Sequence, residues 1–268
     1  MTRIFITGST DGLGRAAARS LLDDGHEVVL HARSTKRAST LADLASQVVR
    51  VVIGDLSSAA ATRHIAEQVD AIGRMDAVIH NAGIYTKQSR GSTPEGHAGI
   101  LAVNTLAPFM LTALIERPDR LVYLSSGLHR GGERSLRDLD WTERPWNPAR
   151  AYAESKLHVV ALALFVARRW PQVFSNAVDP GWVRTRMGGA NAPGDIYTGQ
   201  RTQSWLAVNT DPAAMVTGRY WHHMQPELPA AEAMDVGFQN KLVTRLQELT
   251  GVTFPEGDNV EAALLKAN

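Results

Sequence analysis

The chain contains no cysteine among its 268 residues, which excludes a disulfide framework and a thiolate zinc site. It also lacks an excess of either charge. Its 28 basic and 27 acidic residues give a net charge of +1, so no strong field favours nucleic acid or an anionic membrane as a partner. No apolar run approaches the roughly eighteen residues of a membrane span. Small molecules are therefore the expected partners.

The first residues, MTRIFITG, predict a strand that begins at once and leave no room for the apolar core of a signal peptide. We therefore expect a cytoplasmic protein. A hydrophobic content of 44% is enough to bury a full core, and we expect one domain over residues 1–268. Whether the domain forms a homo-oligomer stays open at this stage.

Apolar runs typical of strands alternate with amphipathic runs typical of helices. Strands are predicted at 3–7, 28–31, 49–53, 75–80, 121–124, 173–178 and 217–224, and helices at 15–22, 58–69, 94–116, 152–166, 201–208 and 231–249. This alternation predicts an α/β fold, a doubly wound parallel sheet of the Rossmann type with helices on both faces. Glycine, proline and polar residues are frequent in 127–150 and 186–210, which we predict to be an inserted loop and a substrate lid.

A glycine-rich turn, TGSTDGLG, joins the first strand to the first helix. Gly8, Gly12 and Gly14 allow a tight turn and a close approach of the backbone to a pyrophosphate, to which the helix N-terminus adds amides and a positive dipole end. Three glycines near a strand are weak evidence alone, but this position at the first strand–helix turn strengthens them.

The second strand ends near Arg33, where a carboxylate would bind the ribose hydroxyls of NAD. A guanidinium suits a 2′-phosphate instead, so this strand end favours NADP(H) while NAD(H) stays possible. The alternative is an ordinary solvated basic helix start, which applies above all to Lys36 and Arg37. Asp11 weakens the NADP(H) prediction if its carboxylate points into the same pocket.

Polar residues also follow the later strands. Asn81-Ala82-Gly83 forms a small turn after the fourth strand, and Ser126 stands at the end of the fifth. Ligands of open parallel sheets bind along this edge. Asn104 lies in an apolar helical run four residues before Pro108, which predicts a buried asparagine and a local irregularity of the helix.

Tyr152 and Lys156 stand four residues apart in AYAESKLHVV, so both side chains leave the same face of one helix. A nearby ammonium favours the phenolate and would lower the tyrosine pKa towards neutral pH, making a general acid or base. The spacing alone also occurs by chance on amphipathic helices.

Taken in order, TGSTDGLG, HNAG, Asn104, the Ser125-Ser126 strand end, YAESK and DPGWVRT resemble the short-chain dehydrogenase/reductase family over about residues 1–190. The resemblance implies hydride transfer between a nicotinamide and a carbonyl or alcohol carbon. It implies a catalytic set of Asn104, Ser126, Tyr152 and Lys156. It implies a cofactor-binding set of Gly8, Thr10, Gly12, Leu13, Gly14, Arg33, Asp55, Leu56, Asn81, Ala82, Gly83, Lys156, Pro180, Gly181, Val183 and Thr185.

Within this family, Tyr152 would donate the proton, Lys156 would hold the nicotinamide ribose, Ser126 would orient the carbonyl and Asn104 would position a water. Tyr152 follows Ser126 by 26 residues, a longer interval than is usual, which resembles the retinol-dehydrogenase-like and carbonyl-reductase-like members. We therefore predict a ketoreductase or alcohol dehydrogenase acting on a small, apolar or aromatic substrate.

Two other classes remain as alternatives. A non-catalytic NADP sensor would keep the glycine turn but lose the tyrosine or the lysine, and both are present. A sugar-nucleotide epimerase or dehydratase would need a larger substrate domain than the residues after Thr185 provide.

Four tryptophans fall in segments that could border the site, Trp141, Trp146, Trp182 and Trp205. A large apolar residue more often packs elsewhere in the protein than in a substrate pocket. We give the two alternatives equal weight for Trp182 and favour packing elsewhere for the other three. No metal site is expected, because His222 and His223 would face opposite ways in a strand.

Overall fold

Eight strands form one sheet in the computed structural model, which describes residues 1–85 and 89–257. The strands are β1 (Arg3–Ile6), β2 (Glu27–Ala32), β3 (Arg50–Ile53), β4 (Ala77–His80), β5 (Arg120–Leu124), β6 (Phe174–Asp179), β7 (Arg219–His222) and β8 (Gln225–Glu227). Their order is β3-β2-β1-β4-β5-β6-β7-β8. All neighbours pair in parallel except β7 and β8, which form an antiparallel hairpin.

The helices are α1 (Gly12–Asp23), α2 (Thr35–Ala38), α3 (Ala59–Asp70), α4 (Gly99–Leu101), α5 (Ala107–Leu114), α6 (Pro148–Arg169), α7 (Ile196–Val208), α8 (Ala231–Met234) and α9 (Val236–Thr250). A π-helical segment, Ala102–Leu106, joins α4 to α5, and short 3-10 helices lie at Ser39–Leu41 and Gly127–Gly131. The predicted doubly wound parallel fold is confirmed. Residues 258–268 of the predicted domain lie outside the described residues.

Side chains of β1 alternate between two separate cores, as the period of two in a strand requires. Phe5 packs with α3, α5 and α6 on one face of the sheet, whereas Ile4 and Ile6 pack with α1 and α7 on the other. The carboxyl ends of the parallel strands therefore open between two helical layers, where ligands of such sheets bind.

The predicted lid over 186–210 is irregular as far as Asp195 and helical from Ile196 to Val208. Helix α7 begins at Ile196 rather than at residue 201, because Asp195 caps it by accepting a hydrogen bond from the Thr198 amide at 2.8 Å. Its inner side chains Leu206 and Ala207 are buried in the core around α1. Only residues 186–195 remain as a candidate lid.

The predicted helix over 94–116 is also interrupted. Helix α4 starts at Gly99, because the Thr93 amide bonds to the His97 carbonyl in a turn and Asp140 binds the Ala98 amide at 2.9 Å. The irregularity expected near Asn104 is present as the π-helical segment. Pro108 has no amide hydrogen, so the Asn104 carbonyl cannot accept the usual bond from four residues on.

The last predicted strand and helix also end differently. Strand β7 stops at His222, and His223 and Met224 form the turn to β8 with φ of 46° and 67°. The two histidine rings therefore lie together, with centroids 3.9 Å apart, rather than on opposite faces. The closing helix divides at Asp235, which caps α9 by binding the Phe238 amide.

The predicted inserted loop, 127–150, starts with the 3-10 helix, packs onto α6 and ends at Asn147, because α6 already begins at Pro148. Leu139 and Trp141 are buried in it. No helix within residues 1–85 and 89–257 is both long and apolar enough to cross a membrane.

Candidate active site

The glycine turn after β1 is held against the turn after β4. The Asn81 amide group donates to the carbonyls of Thr7 and Gly8 at 2.9 and 3.2 Å, and the Ala82 amide donates to the Thr7 hydroxyl at 3.0 Å. A Cβ at Gly8 would lie 2.9 Å from the Ala82 Cα, so only glycine allows this approach. The side chain of Asn81 thus supports the turn.

The other residues of the turn face in several directions. Gly12 lies beside Thr185, since a Cβ at Gly12 would be 3.4 Å from the Thr185 methyl group. The side chains of Leu13 and Val183 both lie against Gly199 of α7. Gly14 is buried and lies against the side chain of Asn81. The structure therefore joins the glycine turn to the segment after β6, which the sequence separates by about 170 residues.

A buried histidine that the sequence analysis overlooked connects three strand ends. His31 is 2% exposed, accepts a hydrogen bond from the Gly8 amide at Nδ1 and contacts the Gly54 carbonyl through Nε2 at 2.8 Å. Because a carbonyl only accepts, Nε2 carries the proton. Burial lowers the pKa of His31. A single histidine in an apolar strand gives no sequence signal for this role.

Arg33 is exposed at the end of β2, as predicted. Arg37, for which the sequence suggested above all a solvated position, instead reaches the glycine turn. Its Nη2 donates to the Thr10 hydroxyl at 3.0 Å and lies 3.5 Å from the Asp11 carboxylate. Asp11 in turn caps α1 by accepting from the Gly12 amide, so its carboxylate is directed towards Arg37.

Asp55 and Leu56 follow β3 with different exposures. The Asp55 carboxylate is exposed and accepts from the Ser57 amide at 2.9 Å. Leu56 is 5% exposed and packs in the core with Phe5. Only the backbone of Leu56 is therefore open to a ligand at this end of the sheet.

Gly83 lies beside two residues of the predicted catalytic set, Lys156 and Asn104. A Cβ there would be 3.4 Å from the Lys156 Nζ and 3.6 Å from the Asn104 Oδ1. Asn104 is 1% exposed, accepts from the Ile84 amide at 2.8 Å and donates to the Ile84 carbonyl and the Ser155 hydroxyl. The turn after β4 is thereby tied to α6.

Tyr152 is half-buried on α6, with the ring of Tyr85 edge-on at 5.0 Å between centroids. Burial raises the pKa of Tyr152 to about 12, a hydrogen bond with the Ser126 side chain opposes this rise, and the charge of Asp179 adds to it. Ser126, at the end of β5, also caps the following 3-10 helix. Ser126 and Tyr152 are therefore brought together as predicted.

Lys156 is 4% exposed, and its Nζ donates to the Leu124 carbonyl at 2.8 Å. It lies 5.6 Å from the centroid of the Tyr152 ring. Burial lowers the pKa of Lys156 to about 8, partly offset by Asp179. The predicted fall of the Tyr152 pKa is therefore wrong in direction for this structure, because desolvation of the phenolate is the larger effect. Tyr152 is therefore a neutral phenol at pH 7.

The turn after β6 completes the site. Pro180 and Gly181 are half-buried, Gly181 has φ of 78°, and its amide bonds to Asp179. Val183 is buried and bridges to Gly194, whereas the Thr185 hydroxyl accepts from the Gly188 amide at 3.1 Å.

Three of the four candidate tryptophans pack against other side chains, with Trp141 buried and Trp146 and Trp205 partly buried. Trp141 and Trp146 contact each other in the inserted loop, and Trp205 packs against Trp221. Trp182 is 61% exposed beside the turn after β6, with its indole nitrogen donating to the Gly188 carbonyl. Only Trp182 keeps a position suited to a substrate.

Comparisons with known proteins agree with this geometry. Residues 8–217 match a family model described as enoyl-(acyl carrier protein) reductase. An uncharacterized oxidoreductase of Emericella nidulans is 40% identical over 96% of this chain and 100% of its own length. A Streptomyces protein provisionally named as a daunorubicin C-13 ketoreductase is 30% identical over 89% of each chain.

Solved structures with the same architecture include a protein from Mycobacterium paratuberculosis, with a TM-score of 0.82 and 27% identity over 95% of both chains. A short chain dehydrogenase from Burkholderia cenocepacia in complex with NADP has a TM-score of 0.66, covers 82% of this chain and 95% of its own, and is 21% identical. At that identity the second likeness concerns the fold alone.

Proposed function

The chain belongs to the short-chain dehydrogenase/reductase family and acts on CH–OH or C=O groups, and from this premise we propose an NADP(H)-dependent ketoreductase. The observation that carries the proposal is the meeting of Ser126, Tyr152 and Lys156 beside the glycine turn. A neutral phenol with a hydroxyl partner is the arrangement that carbonyl reduction requires, since negative charge develops on the substrate oxygen.

The residues of the glycine turn fit a dinucleotide. Gly8 and Gly12 have φ of 64° and 53°, and α1 begins directly after them with twelve residues. Both positions lie in the left-handed region that favours glycine, and a turn of this form before a helix N-terminus is suited to a pyrophosphate. Gly12 also lies beside Thr185, so one ligand can reach both turns. When bound, the nicotinamide supplies or accepts a hydride at carbon.

Two guanidinium groups support a preference for NADP(H). Arg33 is exposed at the end of β2, and Arg37 lies over Thr10 of the glycine turn. Asp11 neutralises part of the Arg37 charge at 3.5 Å, which argues for a preference rather than exclusive use.

The protein's own part in the chemistry is proton transfer and positioning. Tyr152 donates its phenolic proton to the substrate oxygen, and the Ser126 hydroxyl orients that oxygen. Lys156 provides a buried ammonium beside Gly83, where it can hold a ribose hydroxyl. Asn104 fixes the Ile84 backbone and links through Ser155 to the carbonyl of Tyr152. General acid catalysis of this type contributes about 10²- to 10⁴-fold, so positioning must supply the rest.

Exposed apolar side chains around the site support an apolar substrate. They come from the segments after β5 and β6 and from the start of α7: Leu128, Trp182, Met187, Ile196 and Tyr197. Such side chains are normally covered, and a bulky ketone or secondary alcohol would cover them. The ketoreductase name of the Streptomyces relative is consistent with a ketone substrate.

A screen of aldehydes and ketones, followed by NADPH absorbance, tests the proposal. Bulky aryl or alicyclic ketones should be reduced faster than small polar sugars. Tyr152→Phe should then lose at least about 10²-fold in kcat while NADPH affinity changes little, because only the proton donor is removed. Tyr123→Phe, which removes a core hydroxyl that contacts Thr112, is the matched control. Near-normal turnover by Tyr152→Phe would contradict the assignment.

A further inference from the structure

A buried carboxylate behind the catalytic residues joins three strand ends. Asp179, the last residue of β6, is 9% exposed. Its Oδ1 accepts from the Gly181 amide at 2.9 Å, and its Oδ2 lies 3.4 Å from Nδ1 of His222 on β7. On the β5 side, a Cβ at Gly127 would come within 3.1 Å of Oδ2. The carboxylate is therefore enclosed by the turns that follow β5 and β6 and by β7.

The ammonium of Lys156 reaches from α6 to the end of β5, the strand next to β6. Its Nζ donates to the carbonyl of Leu124, and Leu124 is the register partner of Val178. Asp179 follows Val178 directly. The two opposite charges thus act on the ends of one pair of neighbouring strands, and the charge of Asp179 raises the pKa of Lys156 against the larger effect of burial.

We propose that Asp179 is a positioning residue of the active site, whose carboxylate holds the turn after β6 and serves as counter-ion of the Lys156 ammonium. The inference rests on the proposed function, in which charged Lys156 holds the cofactor ribose. A buried ammonium without a compensating charge loses its proton, because water no longer stabilises it. Asp179 keeps Lys156 cationic at neutral pH without touching the substrate.

Other titratable groups also surround Asp179. They come from the 3-10 helix, β7, the hairpin turn and α6: His129, Tyr220, His222, His223 and Tyr152. The charges of Glu227, Arg130 and Asp195 in turn influence the pKa values of His129, Tyr220 and His223.

Most of these groups stay neutral above pH 7. His129 donates through Nδ1 to the Ser126 carbonyl and accepts from the Ala230 amide, which requires the neutral ring. Burial lowers the pKa values of His129 and His223 and raises those of Tyr152 and Tyr220. Lys156, with a pKa of about 8, therefore titrates in a different pH range from these two histidines and two tyrosines.

The direct test is the titration of Lys156 in Asp179→Asn. The sequence contains five lysines, so ¹³C-lysine labelling gives few NMR signals, and Lys156→Met identifies the one of interest. Asparagine can still accept from the Gly181 amide, and only the charge is lost. We expect the midpoint of the Lys156 titration to move to lower pH by on the order of one pH unit. The alkaline fall of kcat/KM should move with it.

Asp211→Asn is the matched control. Asp211 makes the same kind of turn, accepting from the Ala213 amide at 2.9 Å, but it is exposed on a distant loop. This variant should leave the Lys156 titration unchanged. A Lys156 titration that is the same in Asp179→Asn as in the unmutated protein overturns the proposal, as does a loss of kcat that is equal at every pH.

If Asp179→Asn does not fold, Asp179→Ser provides the same test, because its hydroxyl can accept from the Gly181 amide. The NMR titration needs no substrate. A shifted titration in a protein that reduces no carbonyl would support the counter-ion and reject the ketoreductase. Turnover without a shifted titration would support the ketoreductase and reject the counter-ion.

Discussion

Glu154 lies between Tyr152 and Lys156 in the sequence, and its removal should destabilise the protein strongly. Glu154 is 3% exposed and receives two hydrogen bonds from Arg144, at 2.8 and 2.6 Å, and one from the Trp141 indole at 3.1 Å. The Arg144 guanidinium also lies 3.7 Å from the centroid of the Trp141 ring. These contacts hold the inserted loop against the catalytic helix.

The expected cost follows from what Glu154→Ala leaves behind. Removing one partner of a buried ion pair costs about 3–5 kcal/mol. Arg144 is 24% exposed and keeps its contacts to the Asp138 carbonyl and carboxylate, so we discount the cost to about 2–4 kcal/mol. For a chain of this size each kcal/mol lowers Tm by about 2–4 °C, which gives a fall of roughly 5–15 °C. Glu154→Gln should cost less, about 1–2 kcal/mol.

Urea unfolding followed by tryptophan fluorescence measures this cost. The matched control is Glu248→Ala, which breaks an exposed ion pair with Arg245 one turn away on α9 and should cost at most about 1 kcal/mol. A double-mutant cycle with Arg144→Met separates the interaction energy of the Glu154–Arg144 pair from the cost of the lost packing. If Glu154→Ala and Glu248→Ala were equally stable, the loop would not depend on this carboxylate and the reasoning would fail.

Three further outcomes are expected. Arg33→Ala should weaken NADPH about ten- to a hundredfold while NADH binding changes little, measured by fluorescence titration; equal losses for both cofactors would exclude a contact with the 2′-phosphate. Lys156→Met should abolish the increase in the free energy of unfolding that the unmutated protein shows between about pH 8 and pH 10. The reason is that the folded pKa of Lys156, about 8, lies below its ordinary value of 10.5, so the charged form costs stability that returns as pH rises through this window; urea titrations at pH 7 and pH 10 check it. Burial lowers the pKa values of His80 and His158 from 6.5 to about 3, so the stability present above pH 6.5 should fall towards pH 3 by about 1.4 kcal/mol per pH unit for each histidine. In calorimetry His158→Leu should reduce that slope, and an unchanged slope would contradict the assignment.

Local patterns predicted most of the sheet, because strand period and turn residues are properties of neighbouring positions. The predicted β3, for example, differs from the observed Arg50–Ile53 by one residue at its start. The signal for α7 was present as well, since Asp195 precedes Thr198 at the spacing of an N-cap. It was overlooked because Gly199 and the exposed Ile196 and Tyr197 break the amphipathic pattern.

Long-range contacts explain what the sequence could not predict. His31, Arg37 and Asp179 owe their roles to partners on other strands or turns, and the intervening chain gives no hint of these contacts. The same applies to the Tyr152 pKa. Spacing places Lys156 on the same helix face, but the direction of its ammonium depends on the Leu124 carbonyl, 32 residues away.

Helix α6 carries the proposed catalytic residues on one face and anchors the inserted loop with the other. Tyr152 and Lys156 point to the strand ends, whereas Glu154 and His158, also four residues apart, line a small buried cavity together with Trp141. A change in the inserted loop therefore acts on the opposite face of the helix from the chemistry. Substitutions in the loop at residues distant from Glu154 should then leave the geometry of Tyr152 and Ser126 unchanged, whereas loss of Glu154 releases the loop from helix α6.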